Sequence, residues 1–192
     1  KVDTVMHRVG CRPDEVVALA RHIDRTDNVE LEAVWTHCAV ADEPGNPFTD
    51  LQLRLLREAV DALEAEGLRP PVVHAANSAA GIDRPDARLD MVRAGIVVYG
   101  LDPSPELAGR QPLLPALSLL SQVSHVQELP AGEAISYGRR HVVERDTVVA
   151  TIPIGYADGV PRALSQVGGS VLIRGRRRPM VGVVTMDQVM VD

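Results

Sequence analysis

Short apolar runs alternate with amphipathic stretches over residues 1–111, and this alternation limits the possible folds more than any other feature of the chain. Residues 29–35 and 71–74 are predicted as buried strands, and residues 95–100, bounded by glycines, as a third. Helices are predicted at 13–23 and 49–66, the second with Thr49 as N-cap and Gly67 just after its end. Strands that alternate with helices indicate βαβ units and a parallel sheet.

The pattern changes after a proline-rich segment at residues 102–115, which indicates a linker because proline fixes φ and lacks a donor. Beyond it only strands are predicted, at 116–129, 147–153, 170–173 and 180–185, with turns at 130–133 and 174–175. We therefore expect an α/β chain with two domains. Residues 1–111 would be the second half of a (β/α)8 barrel, and residues 112–192 a mainly antiparallel β domain. A small open sheet is the alternative for the first part.

Composition excludes several classes of partner. The chain has 192 residues, 45% of them hydrophobic and 24% charged, which is the balance of a globular protein. A net charge of −6 and a pI near 5.5 argue against nucleic-acid binding. No apolar run approaches the roughly 20 residues that span a bilayer, and the first residues do not form a signal peptide. Two cysteines are too few for a disulfide framework, so we expect a reducing, cytoplasmic location.

Small and polar residues near two of the predicted strands could hold an anion. Asn77 and Ser78 follow the second strand, and Gly95 and Ile96 begin the third. Small residues let backbone N–H groups approach a phosphate, and a hydroxyl adds a donor. The alternatives are an ordinary helix N-cap at Ser78 and a tight turn at Gly95.

Four further side chains could carry chemistry. His37 could be a base, a metal ligand or a core histidine, and no second histidine stands at ligand spacing, so no metal site is expected. Tyr137 and Tyr156 stand beside glycines at strand ends, either as acid/base groups or as half-buried side chains. Arg8 could grip a carboxylate or pair with Asp3 at the surface.

In this order, the motifs resemble those of the alanine racemase family, whose members are pyridoxal-phosphate enzymes with a barrel and a β domain. The matching stretches span nearly the whole chain. They are KVDTVMHRVG at 1–10, TH at 36–37, ANSAA at 76–80, VRAGI at 92–96, ISYG at 135–138, IPIGYADG at 152–159, and residues 181–188, which end in MDQ.

The resemblance implies a cofactor site for pyridoxal 5'-phosphate. Ser78, Gly95 and Ile96, with Asn77 beside them, would hold its phosphate. Arg93 would donate to the pyridine nitrogen. His37 would lie against the cofactor ring and tune the tyrosine network.

The resemblance also implies a substrate site shared by a homodimer. Tyr137 would be one of two acid/base groups and would reach the cofactor of the partner subunit, so Tyr137, His37 and Arg93 form the expected catalytic set. Arg8 and the backbone at Met186 would bind the carboxylate of an amino-acid substrate. Tyr156 would line the entrance, and Lys1 matches an often carbamylated lysine that orients Arg8.

The chain departs from the family pattern in places. The Schiff-base lysine of the family, its second base, lies upstream of the residues present, and Lys1 matches a different position. The family's phosphate-binding tyrosine near the C-terminus has no match either. We therefore expect an internal fragment, half a barrel that does not fold stably alone. Val5 stands where the family usually has glycine, and Leu120 and Gln122 replace commonly basic residues.

The function implied is racemisation of L- and D-alanine by two bases, which would supply D-alanine for the cell wall. Another amino-acid racemase or a decarboxylase of the same fold is an alternative. Arg93 argues against a decarboxylase, which usually places a carboxylate at the ring nitrogen. The remaining alternative is a non-catalytic remnant that binds the cofactor or is purely structural.

Overall fold

The computed structural model describes residues 1–192, which form two compact units, Lys1–Ser118 and Leu119–Asp192. Each unit has its own apolar core. None of the helices combines the length and the apolar character needed to cross a bilayer.

Two short parallel strands organise the first unit. Strands β1 (Ala33–Trp35) and β2 (Val72–His74) pair in parallel, with Trp35 opposite His74. On one side the Val2 N–H donates to the Trp35 carbonyl at 2.8 Å, and on the other Met91 forms a parallel bridge with His74. Four stretches therefore lie side by side in chain order. This follows the expected alternation, although the strands are shorter than predicted.

Helices cover these strands. A 3-10 turn at Pro13–Glu15 leads into helix α1 (Val16–Asp24), and helices α2 (Phe48–Ala65) and α3 (Ser78–Asp83) follow. The prediction of Thr49 as N-cap is wrong, because α2 begins at Phe48 and Thr49 lies within its buried first turn. Its C-terminal signal is confirmed, since Gly67 has φ +68°. The face of α2 that packs into the core consists of Thr49, Gln52, Leu53, Leu56, Ala59 and Leu63.

The strand predicted at residues 95–100 is wrong, because Ile96–Tyr99 is a 3-10 helix. Met91 already occupies the edge of β2, so the chain has left the sheet before Gly95. A short apolar run does not by itself distinguish a strand from a helical turn. Further 3-10 turns lie at Pro85–Ala87 and Pro105–Leu107.

The second unit is an antiparallel β domain. Its strands are β3 (His125–Leu129), β4 (Ala134–Ile135), β5 (His141–Val142), β6 (Thr147–Ile152), β7 (Ser170–Ile173), β8 (Arg176–Val181) and β9 (Val189–Val191). Five of them form a sheet in the order β3-β6-β9-β8-β7, and β4 pairs with β5. Short 3-10 turns lie between the strands, at Tyr137–Arg139, Tyr156–Asp158 and Leu164–Gln166.

Several strand boundaries in this unit differ from the prediction. The strand expected at 180–185 instead runs from Arg176 to Val181, and it ends there because Gly182 has φ +72° and turns the chain out of the sheet. Only the last five residues of the run 116–129 are a strand. The predicted turn at Arg174 and Gly175 is confirmed, since both have positive φ and join β7 to β8.

Candidate functional site

Arg93 lies beyond the carboxyl ends of β1 and β2, where its terminal nitrogens meet four acceptors. Its Nη2 donates to the carbonyls of Thr36 at 2.7 Å and Ala75 at 3.0 Å, and lies 3.2 Å from Nδ1 of His37. Its Nη1 contacts Nδ1 of His74. The guanidinium is thus held by backbone and imidazole together, while its Nε has no hydrogen-bond partner within the protein.

An aromatic platform supports this guanidinium. The Arg93 Cζ lies 4.6 Å from the centroid of the Trp35 ring, and the His74 ring stacks on Trp35 at 5.5 Å. Trp35 and His74 are opposite each other in the parallel register, so their side chains point to the same face. The sequence prediction missed both residues. The available signal was their position at the ends of two predicted strands.

Burial, together with the charge of Arg93, keeps the neighbouring imidazoles neutral. Burial lowers the pKa of both His37 and His74, and the Arg93 charge lowers both further. The Arg8 charge also lowers the pKa of His37. Both rings are therefore uncharged at neutral pH, and their Nδ1 atoms can accept from the guanidinium, which stays cationic.

A small polar cradle is formed by α3 and the segment that leads into Ile96–Tyr99. The interpretation of Ser78 as an N-cap is wrong, because Asn77 caps α3 by accepting the Ala80 N–H at 3.0 Å. The Ser78 hydroxyl instead accepts the Gly95 N–H at 2.8 Å. The Ile96 N–H, at the start of its 3-10 helix, has no protein acceptor. A hydroxyl beside a free backbone donor fits a phosphate group.

Arg8 follows a tight turn that is organised by Asp3. The Asp3 Oδ1 accepts the N–H groups of Met6 at 2.9 Å and His7 at 3.0 Å, and these contacts lower the carboxylate pKa. Val5 and His7 both have positive φ in this turn. The alternative of an Asp3–Arg8 surface pair is wrong, because the two side chains form no ion pair and the Asp3 Oδ2 instead lies 3.4 Å from Nδ1 of His7.

Arg8 itself is exposed and makes no ion pair with any acidic side chain. Lys1 lies beside this turn, with its Nζ donating to the Val9 carbonyl at 2.5 Å and 5.6 Å from the Trp35 ring centroid. A free guanidinium next to a site of neutral imidazoles fits an anionic ligand such as a carboxylate.

In the second unit, Tyr137 lies on the rim of a cavity of about 590 Å³ that Met186 also lines. Tyr137 is 76% exposed, so the alternative of a half-buried tyrosine is wrong. It is presented by a turn in which Ser136 and Gly138 have positive φ. A Cβ on Gly182 would lie 2.6 Å from the Ser136 Cβ, so this turn rests directly on a glycine.

The Tyr156 and Met186 segments are held together by their backbones. The Tyr156 N–H donates to the Thr185 carbonyl at 3.0 Å, and the Ala157 N–H to the Met186 carbonyl at 2.9 Å. A Cβ on Gly155 would lie only 2.4 Å from the Met186 oxygen, so only glycine permits this approach. Tyr156 and Met186 thus lie on two connected segments, and the turn before Tyr137 contacts the second of them, because the Ser136 hydroxyl donates to the Val183 carbonyl at 3.3 Å.

The comparisons with known proteins agree across the whole chain. The model of the alanine racemase N-terminal domain matches residues 1–103, and that of the alanine racemase C-terminal domain matches residues 116–192. An alanine racemase of Symbiobacterium thermophilum is 53% identical over 191 residues, and one of Halothermothrix orenii is 43% identical over 192. Each alignment covers 100% of this chain and 50% of the relative.

Solved structures give the same picture. The alanine racemase from D-cycloserine-producing Streptomyces lavendulae superposes with a TM-score of 0.89 at 41% identity, over 99% of this chain and 51% of the other. That from Streptomyces coelicolor gives a TM-score of 0.89 at 38% identity, over 99% and 51%. The chain therefore spans about half the length of the relatives that it matches.

Proposed function

The chain belongs to the alanine racemase family, and from that premise we propose that the protein interconverts L- and D-alanine with pyridoxal 5'-phosphate as cofactor. The observation that carries the proposal is the fixed guanidinium of Arg93, whose Nε has no protein partner. We further propose that the enzyme acts in the cytoplasm and supplies D-alanine for the cell wall.

The residues of the first unit are suited to hold the cofactor. The Ser78 hydroxyl and the N–H groups of Gly95 and Ile96 would bind the phosphate, beside the capping residue Asn77. The Arg93 Nε would donate to the pyridine nitrogen, and His37 would lie against the ring. Of these donors, the Ile96 N–H and the Arg93 Nε have no acceptor within the protein, and the Gly95 N–H and the Ser78 hydroxyl contact each other in the cradle.

Bound there, pyridoxal 5'-phosphate supplies an electron sink that makes the substrate α-hydrogen acidic. A guanidinium does not readily give up a proton, so Arg93 would leave the ring nitrogen unprotonated. An unprotonated ring nitrogen would withdraw electrons less strongly, which would disfavour side reactions such as transamination. Arg93 also argues against a decarboxylase, in which a carboxylate usually stands at this nitrogen.

The proton would be moved by groups on opposite faces of the α-carbon. The Tyr137 hydroxyl would remove or return it on one face, and a lysine outside this chain would act on the other. Arg8 and the Met186 N–H would hold the substrate carboxylate, with Tyr156 at the entrance. Lys1 would keep the Arg8 turn in place through its bond to the Val9 carbonyl.

We propose that the site is shared in a homodimer, with Tyr137 of one subunit serving the cofactor of the other. Its high exposure and its lack of a hydrogen-bond partner support a role outside its own β domain. Met186, 60% exposed on the same cavity, would act from the same side. Each protomer would then complete the barrel site of its partner.

The test is an assay of the intact protein loaded with pyridoxal 5'-phosphate. In D2O, L-alanine should lose its α-proton to solvent while D-alanine accumulates. Tyr137→Phe should lower the rate by a factor of about 10² to 10⁴, the usual contribution of a positioned acid/base group. Tyr99→Phe, at another exposed tyrosine, is the matched control and should leave the rate unchanged.

Two outcomes would contradict the proposal. A protein that binds the cofactor yet exchanges no α-proton would be a non-catalytic remnant. A protein that racemises serine or another amino acid in preference to alanine would be a different racemase of the same fold.

A further inference from the structure

Gln52 is a fully buried amide in the second turn of α2, and both of its polar atoms are used. Its Oε1 accepts the Ala39 N–H at 2.7 Å. Its Nε2 donates to the His37 carbonyl at 3.0 Å and to Thr4, where the carbonyl lies at 3.0 Å and the hydroxyl at 3.2 Å. One side chain therefore connects the Arg8 turn to the loop after β1.

The Gln52 amide bonds the two stretches just beyond the point where their backbone hydrogen bonds end. The last backbone bond between these two stretches is from the Val2 N–H to the Trp35 carbonyl. Beyond it Thr4 and Thr36 meet only through their hydroxyls, at 2.6 Å, and both side chains are buried. The carboxamide of Gln52 has the donors and acceptor of a peptide group, so it substitutes for the missing rung.

The loop after β1, which Gln52 holds, contacts residues of the proposed cofactor site. His37 contacts Arg93, and the Cys38 carbonyl accepts from Asn77, the N-cap before Ser78. Thr4 stands four residues before Arg8 in the turn organised by Asp3. A change in the Gln52 bonds would therefore shift the cofactor side and the carboxylate side relative to each other.

We propose that Gln52 is a positioning residue that sets the spacing between Arg8 and His37, and hence between the bound carboxylate and the cofactor ring. The inference rests on the proposed function of those two residues. Packing alone does not require an amide here, because Leu53 and Leu56 on the same helix fill the core with apolar groups. A buried amide is costly unless all of its bonds are made.

The experiment compares Gln52→Met with Leu56→Ala in the intact protein. Methionine keeps the length of the side chain but makes none of the four bonds. Leu56→Ala leaves a cavity one turn along the same helix and controls for lost stability. We expect both variants to melt at lower temperature, while Gln52→Met alone raises KM for alanine about tenfold with a smaller change in kcat.

Hydrogen exchange of the cofactor-free protein gives a readout that does not depend on activity. In Gln52→Met, peptides that cover residues 3–9 and 36–41 should exchange faster, and Leu56→Ala should not accelerate these peptides selectively. If Gln52→Met does not fold, Gln52→Asn, one methylene shorter, should show the same pattern. If the wild-type protein lacks racemase activity, the proposed function fails while the exchange result still stands.

Equal KM values in Gln52→Met and wild type, in an active enzyme, would overturn the proposal. Unchanged exchange in both loops of a folded Gln52 variant would overturn it as well. A selective acceleration of both loops supports it.

Discussion

At the scale of single residues, Arg93 is the side chain that connects the loops after β1 and β2 in the first unit. Two backbone carbonyls and two imidazoles fix its terminal nitrogens. Lysine carries one compact charge and cannot reproduce this planar set of donors.

Arg93→Lys should therefore lower kcat for alanine by at least about 10²-fold, the loss typical when a positioned electrostatic group is removed. It should also lower the melting temperature, because the carbonyls of Thr36 and Ala75 lose their donor. Steady-state kinetics and thermal unfolding measure both effects. Arg54→Lys, on the exposed face of α2, is the control and should change neither.

The two imidazoles predict a pH dependence of stability. Their pKa values lie below the ordinary 6.5 in the folded protein, so below pH 6.5 the unfolded chain binds protons that the folded chain does not. The free energy of unfolding contributed by these groups should fall as the pH drops through 6.5, and level off above about pH 7. Urea titrations between pH 5 and 8 measure the slope. Replacing His37 and His74 together by Asn should flatten it, and an unchanged slope would refute this cause.

Val5 is a β-branched residue with φ 77° in the turn before Arg8. Such a conformation costs an L-residue about 1–2 kcal/mol, and glycine avoids most of this cost. Val5→Gly should therefore stabilise the intact protein by roughly 0.5–1 kcal/mol, after the extra entropy of glycine in the unfolded chain is counted. Val9→Gly, at a nearby residue without positive φ, should destabilise it. Chemical denaturation of both variants measures the difference, and a less stable Val5→Gly would contradict the argument.

At the scale of elements, the sequence predicts helix ends and turns best where a residue type, such as glycine, strongly favours one local conformation. Gly67 ends α2, and Arg174 and Gly175 form the hairpin turn, both as expected. The 3-10 helix at Ile96–Tyr99 could not be predicted, because its conformation depends on Met91 having taken the edge of β2. That is a tertiary contact, and the hydrophobic pattern of residues 95–100 does not indicate it.

The glycine that follows this 3-10 helix permits a test. Gly100 has φ +76°, and a Cβ there would lie 1.9 Å from the Leu114 carbonyl oxygen. Gly109 has φ +73° and open space around it. Gly109→Ala should cost about 1–2 kcal/mol for the backbone conformation alone. Gly100→Ala should cost at least about 2 kcal/mol more, because backbone atoms must move. Equal losses of stability in urea titrations would show that the close approach to Leu114 is absent.

At the scale of the whole molecule, the expected fold class is confirmed: part of an α/β barrel followed by a mainly antiparallel β domain. For the first part, the alternation of strands and helices predicted a parallel sheet but left a small open sheet as an alternative, and the resemblance to the family favoured the barrel. The site was harder to predict, because His74 and Gln52 act through residues far from them in sequence. The position of His74 at the end of a predicted strand was the only local signal for it, and no local pattern identifies Gln52 as a substitute for a backbone hydrogen bond of the sheet.

The central proposal is that Arg93 of one protomer and Tyr137 of its partner serve one site, and complementation tests it most directly. Tyr137→Phe and Arg93→Ala, each inactive as a homodimer, are mixed in equal amounts, dissociated and allowed to reassociate. A mixed dimer then contains one site with both native residues, so random pairing should restore about a quarter of wild-type activity. A mixture that forms mixed dimers but stays as inactive as its parents would contradict the claim.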